Sequence, residues 1–203
     1  MALNAAQQWW IRTDGAETNG GGYDATVSGA GTNYSDQASP QLSLTDLACL
    51  NNTTLTSATG GFTTLMIGNI IRIASGTNFT AGYYMVTARA STNSVTLDRN
   101  PTNGSNASSG VGKLGGAWAG FVNASSGGAG PSPLVSSPVA TGHTINVRGS
   151  GNLDGSADYT YTDYWSFPSG SSAYIYVVGY NGRPCISVNG LFFTTRISGP
   201  GRM

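Results

Sequence analysis

The segment NIIRIASGTNFTAGYYMVTARASTNSVTLD, residues 69–98, decides the fold class. Apolar and other side chains alternate along it, as where Ile71 and Ile73 flank Arg72. Each alternating run is short and is bounded by Gly, Asn or Ser, which is the pattern of half-buried strands joined by tight turns. The segment therefore predicts antiparallel β-structure.

The same alternation predicts which side chains of residues 53–100 form a core. Met85 and Thr87 fall on the face of their strand that is opposite to the predicted core. Directly after the last strand of the segment, Asp98 and Arg99 predict a local ion pair. The predicted core residues are Phe62, Met66, Ile71, Ile73, Tyr84, Val86, Val95 and Leu97.

The composition of the whole chain agrees with an all-β protein. Only 9% of the 203 residues are charged, against about 25% in typical proteins. Strand formers such as Thr, Val, Ile and Tyr combine with 30 glycines, whereas long helices rely on Ala, Leu, Glu and Lys. The formal net charge is zero, and the basic residues are spread singly, so neither nucleic acid nor a membrane is an expected partner.

Three parts separate along the chain by their patterns. Residues 1–115 form an N-terminal β module, and residues 116–142 combine a cap with a Gly/Ser/Pro-rich linker. From residue 143 to 203 strand-like runs resume, separated by Gly, Asn and Pro turns. These runs lie too close together for intervening helices, which favours a solenoid or a sandwich over a βαβ fold.

Two segments are harder to assign. Residues 41–50, QLSLTDLACL, fit either a strand or a single helical turn. Residues 114–123, LGGAWAGFVN, predict one or two helical turns, because Leu114, Trp118 and Val122 would share one face at a spacing of four.

The run from Thr56 to Pro101 resembles an N-terminal module found in many phage and metagenomic structural proteins, where it precedes a right-handed parallel β-helix. Downstream, GHTINVRGSG (142–151) and IYVVGYNGRPCISVNGLFF (175–193) resemble the first rungs of that helix. The matching positions within the module are Phe62-Thr63, Met66, Gly68-Asn69, Gly76 to Thr80, Gly82 and Val95 to Arg99.

The resemblance implies an N-terminal antiparallel β module followed by a short right-handed β-solenoid-like segment. It implies a virion structural protein, such as a capsid decoration, head-fibre or tail component, that acts through multivalent self-assembly. The implied partners are further copies of the chain and other virion proteins. The alternative is a surface glycan-binding module of tailspike or adhesin type, and a polysaccharide-degrading enzyme ranks third. Residues 1–15 lack the features of a secretory signal, so we expect synthesis in a host cytoplasm and incorporation into a virion.

The sequence favours a protein without catalytic activity, cofactor or metal. His143 is the only histidine, and no Gly-x-Ser-x-Gly motif accompanies it. Its position beside Thr144, at the start of a strand, predicts a turn or edge residue. Cys49 and Cys185 lie far apart and lack the ligand spacing of a zinc site.

Assembly through the C-terminal part is expected. The strands YIYVVGY (174–180) and LFFTT (191–195) carry no charge that would protect an edge from pairing with another copy. We expect a homo-oligomer, a trimer by analogy with phage fibres, or a lattice. The candidate interface residues are Trp9, Trp10, Tyr174, Tyr176, Phe192 and Phe193.

Overall fold

The computed structural model describes residues 3–27, 32–120, 138–140 and 142–148, together with a strand at 176–179. Regular structure in these residues consists of ten strands and two 3₁₀ turns. The prediction of an all-β protein is confirmed. Within the same ranges, no helix is long and apolar enough to cross a membrane.

Six antiparallel strands close into a barrel in the order β3-β4-β7-β6-β5-β8. Residues 41–50, which fit a strand or a helical turn by sequence, contribute the first of these strands. The barrel strands are β3 (Leu42–Cys49), β4 (Thr54–Ser57), β5 (Ile70–Thr77), β6 (Gly82–Ser91), β7 (Ser94–Leu97) and β8 (Ala107–Leu114).

The interior of the barrel is the core that the alternation predicts. All eight predicted core residues are buried, and none is more than 3% exposed. Leu47, Leu55 and Leu114 join them, each fully buried. The predicted ion pair also forms, with Arg99 Nη1 lying 2.6 Å from Asp98 Oδ2.

The first half of strand β5, residues 70–73, is buried on both of its faces. Ile71 and Ile73 point into the barrel, while Ile70 and Arg72 point outward and are still only 0% and 5% exposed. Met85 on the neighbouring strand also lies in a second apolar cluster outside the barrel. The outer wall of the barrel at β5 and β6 is therefore covered by another layer.

That layer is a four-stranded sheet in the order β10-β9-β1-β2. β1 pairs antiparallel with β2 and parallel with β9, which in turn pairs parallel with β10. The N-terminal strand thus joins the predicted parts 1–115 and 143–203 in one sheet. The strands are β1 (Gln7–Arg12), β2 (Gly22–Asp24), β9 (Thr144–Arg148) and β10 (Tyr176–Gly179).

The helical turns predicted within residues 114–123 do not form at residues 115–120, and residues 121–123 lie outside the described residues. Leu114 ends β8, and Gly115 and Gly116 follow with φ of 66° and 77°. Left-handed backbone at two successive glycines is incompatible with a right-handed helix. The chain instead places Trp118 in a parallel bridge with Ile11 of β1.

Asp46 connects β3 with the end of β4 and with the residues that follow it. It lies where the pairing of β3 with β8 shifts register. Its carboxylate accepts hydrogen bonds from the Ser57 hydroxyl and the Thr59 N–H, both at 2.6 Å. These contacts, that of Ser57 foremost, lower the pKa of Asp46.

We expect Asp46→Asn to reduce stability at neutral pH, because the charged form of Asp46 is the one that both donors favour. A carboxyl whose pKa is lower in the folded than in the unfolded state contributes stability that disappears as the pH falls through the folded pKa. Urea denaturation at a series of pH values should therefore show the two proteins converging in acid. A stability difference that is constant across the series would contradict this role, and Ser57→Ala provides the matched control.

Candidate functional site

The sheet packs on the barrel through a cluster that we call the sheet–barrel joint, formed by Trp9, Ile11, Tyr83, Trp118 and His143. Trp9 and Ile11 share one face of β1, and Tyr83 projects from the outer face of β6. Trp118 follows β8, and His143 immediately precedes β9. Residues from both layers and from distant parts of the chain therefore meet at one place.

Three aromatic rings form the centre of the joint. Trp9 stacks on Trp118 with the ring centroids 4.7 Å apart and the planes at 15°. Tyr83 approaches both indoles edge-on, at 5.9 Å from Trp9 and 5.7 Å from Trp118. Stacked and edge-on pairs of this kind stabilise the folded protein by more than the burial of their apolar area alone.

The chain around Trp118 is shaped to admit the indole. Its Nε1 donates a hydrogen bond to the Asn19 carbonyl oxygen at 3.2 Å. Gly21 has a φ of +75°, and a Cβ atom there would lie 2.2 Å from the Trp118 ring. A glycine at this position therefore satisfies both the backbone conformation and the close approach.

His143 is fully buried in the joint. Its Nδ1 accepts hydrogen bonds from Trp9 Nε1 at 3.0 Å and from the Ala140 N–H at 2.9 Å. Burial lowers the pKa of His143, although the main chain of Leu3 and Asn4 and the carboxylate of Asp24 act in the opposite direction. The neutral imidazole is thus the form that this environment favours.

The prediction of a turn residue agrees with the position of His143, but it did not include the burial of the side chain. The residue does lie in the turn before β9, but it has no exposed surface. The reason is its partner Trp9, which lies 134 residues away in sequence. A hydrogen bond over that separation leaves no trace in local sequence pattern.

The candidate interface residues have different positions. Trp9 is completely buried and Trp10 is 4% exposed, so most of the surface of both indoles is covered within this chain. Tyr176 begins β10. Tyr174, Phe192 and Phe193 lie outside the described residues.

Charged side chains act on two members of the joint, Asp24 on His143 and Arg72 on Tyr83. Burial raises the pKa of the Tyr83 hydroxyl, and the nearby Arg72 guanidinium opposes this effect. The described ranges contain no group of three or more His, Cys, Asp or Glu residues that could hold a metal ion. The arrangement is suited to fixing the sheet rigidly on the barrel.

Tyr83 and Trp118 were missed as members of a shared site. The available signal was on β5 and β6, where Ile70, Tyr83 and Met85 are large apolar residues on the face opposite to the barrel core. Such residues at outward positions indicate a strand that is covered on both faces.

Comparisons with protein-family models, with curated proteins and with solved structures find no match to this chain.

Proposed function

We propose that this chain is a structural protein of a virion, a capsid decoration, head-fibre or tail component, that acts through multivalent self-assembly. The observation that supports the proposal most is the parallel stack of β1, β9 and β10. In that stack Trp9 lies beside Ile145, which lies beside Val177. Strands from distant parts of a chain that stack in parallel register are the arrangement by which a solenoid adds rungs.

We further propose that these strands are successive rungs of a right-handed β-solenoid-like segment. Its apolar face lies against the barrel, where Ile145 and Val147 of β9 pack beside Trp9 and Ile11. The antiparallel strand β2 covers the edge of β1 that faces away from β9. Rungs can therefore be added in one direction only, from β1 through β9 to β10 and beyond.

The proposed assembly follows from this direction of growth. A strand edge presents main-chain N–H and C=O groups that template pairing with another strand. The chain has one lysine and one glutamate among its 203 residues, and charged side chains of this kind are what usually prevent such pairing. We place the contact between copies at the β10 end of the stack.

The virion role is tested by locating the protein. Antibodies raised against the purified chain should label intact particles at regularly repeated positions in electron microscopy, and the protein should sediment with those particles. Recovery of the protein only in the particle-free fraction would contradict the proposal. Glycan binding by such free protein on an array would instead favour the adhesin-type alternative, which gains no support from Trp9 and Trp10 because both are buried.

A further inference from the structure

Three buried polar side chains form a row across the sheet, and one of them, His143, belongs to the joint. Asp24 of β2 pairs with Gln7 of β1. His143 continues the row, because it precedes Thr144, which pairs with Gln8 in parallel register. Gln7 and His143 are 0% exposed and Asp24 is 1% exposed.

The three side chains lie on the same face of the sheet. Gly22 lies two residues before Asp24 and therefore on the same face of β2. A Cβ atom built on Gly22 would meet the side chains of both Trp9 and Gln7. The His143 ring reaches the Trp9 indole from β9. The row therefore converges on the barrel-facing side, next to Trp9.

Each member of the row has one polar atom without a hydrogen-bond partner in the described part of the chain: Gln7 Oε1, Asp24 Oδ2 and His143 Nε2. Their other polar atoms are engaged. Gln7 Nε2 donates to the Gln8 carbonyl at 3.1 Å, and Asp24 Oδ1 accepts from the Thr26 N–H and hydroxyl at 2.8 and 2.7 Å. Buried polar atoms are rarely left unpaired, and an ordered water often supplies the missing partner.

The hydrogen-bond pattern of His143 determines which ligand suits the three atoms. Because Nδ1 accepts from two N–H groups, it carries no hydrogen, and the neutral ring holds its proton on Nε2. The row thus presents one donor, Nε2–H, and two acceptors, Oδ2 and Oε1. A water molecule accepts from the donor and gives its two hydrogens to the acceptors. A metal ion would need the lone pair that this tautomer lacks on Nε2.

We propose that Asp24, Gln7 and His143 form an internal binding site for one water molecule, which holds His143 as the neutral tautomer that latches β9 to the joint. The site ties together β2, β1 and β9, the strands on either side of the point where the sheet meets the barrel. It is independent of assembly, since every contact lies within one chain.

We expect acid to break the hydrogen bonds by which His143 holds β9 to the joint; the form without these hydrogen bonds is called the open form. The ring already carries a proton on Nε2, so a second proton has to bind Nδ1, where it displaces the N–H groups of Trp9 and Ala140. Asp24 is the charged side chain that acts on the ring, whereas Leu3 and Asn4 act on it through their uncharged main chain. Burial outweighs the carboxylate and lowers the pKa of His143, so the open form takes up the proton more readily.

The direction of the pH effect follows from this difference. Stability is complete above the ordinary histidine pKa of about 6.5 and falls as the pH drops below it. The equilibrium constant for opening should rise by up to about tenfold per pH unit in that range.

The direct test uses the single histidine, whose ring signals need no assignment among others. At neutral pH the ¹⁵N shifts of the full-length protein should show a protonated Nε2 and an unprotonated Nδ1, and Nε2–H should show a cross-relaxation peak with a long-lived water. A high-resolution crystal structure should place one water between the three atoms. A ring protonated on Nδ1, a dry site, or a rise in melting temperature with Zn²⁺ that EDTA reverses would overturn the proposal.

Two substitutions of His143 separate the latch from general packing. In His143→Asn, Oδ1 takes the place of Nδ1 and keeps the acceptor for Trp9 while removing the titration, so the histidine-dependent acid sensitivity should disappear. His143→Gln reaches the water site but lacks that acceptor, so the tryptophan fluorescence, to which Trp9 contributes, should change already at neutral pH. Asp24→Asn controls for titration of the carboxylate. An acid profile of His143→Asn identical to that of the parent protein would contradict the latch.

Discussion

Replacing Trp118 with alanine is expected to lower the free energy of unfolding by about 3–5 kcal/mol. The indole is fully buried, stacks on Trp9 at 4.7 Å and donates a hydrogen bond to Asn19. Its loss leaves a cavity between the sheet and the barrel and an unpaired carbonyl group. Urea denaturation followed by far-ultraviolet circular dichroism measures the change.

Trp118→Phe is the matched control for this substitution. It keeps an aromatic ring against Trp9 but removes the Nε1–H donor, so we expect a smaller loss than for alanine. The double substitution of Trp9 and Trp118 by alanine should be less destabilising than the sum of the single ones, because both remove the same stacked pair. A loss below about 1 kcal/mol for Trp118→Ala would show that the joint does not hold the two layers together.

Truncating Ile73 to alanine should destabilise the barrel by about 2–5 kcal/mol, the range for a large aliphatic side chain in a core. Ile73 is fully buried and packs in the barrel cluster with Leu47 and Val86. Thr54→Ala on the exposed face of β4 is the control and should stay within about 0.5 kcal/mol. Equal effects of the two substitutions would mean that the strand faces are assigned wrongly.

The barrel core was predictable because its information is local. Along β6, Tyr84 and Val86 point inward while Tyr83 and Met85 point outward, and a period of two specifies this wherever a face is buried. Turn residues between the strands, such as Thr92 and Asn93, mark where each strand ends. Neither inference requires knowledge of a distant segment.

The joint was not predictable in the same way, because its contacts are between residues far apart in sequence. The pairing of β1 with β9 and the hydrogen bond from Trp9 to His143 both connect the N-terminal strand to residues beyond 140. Sequence alternation does not identify the partner of a strand. Trp9 therefore had the pattern of an interface residue although it is buried within the chain.

The helical turns predicted around Trp118 illustrate a second reason why part of the structure could not be predicted from sequence patterns. A spacing of four between apolar residues agrees with a helix, but the backbone decides whether one forms. Gly115 and Gly116 adopt left-handed conformations, and the following residues pair with β1. A pair of glycines directly after a strand was the local signal against a helix.

Substitutions in β10 can separate assembly from folding. Along a strand that pairs in parallel, the N–H groups of successive residues point to opposite edges. Val177→Pro and Val178→Pro therefore each remove one N–H donor. In one variant the lost donor points toward β9, and in the other, the outer-edge variant, it points away from β9. We expect the outer-edge variant to lose assembly while its barrel stays folded. Threonine at the same positions retains the N–H group and is the control.

The most direct test of the proposed self-assembly is the molar mass of the full chain, measured by light scattering over a range of micromolar concentrations. Our account predicts a mass that is a multiple of the 20.8 kDa chain, threefold or larger, and that decreases in the outer-edge proline variant. A mass of 20.8 kDa at every concentration, unchanged by either proline, would contradict it.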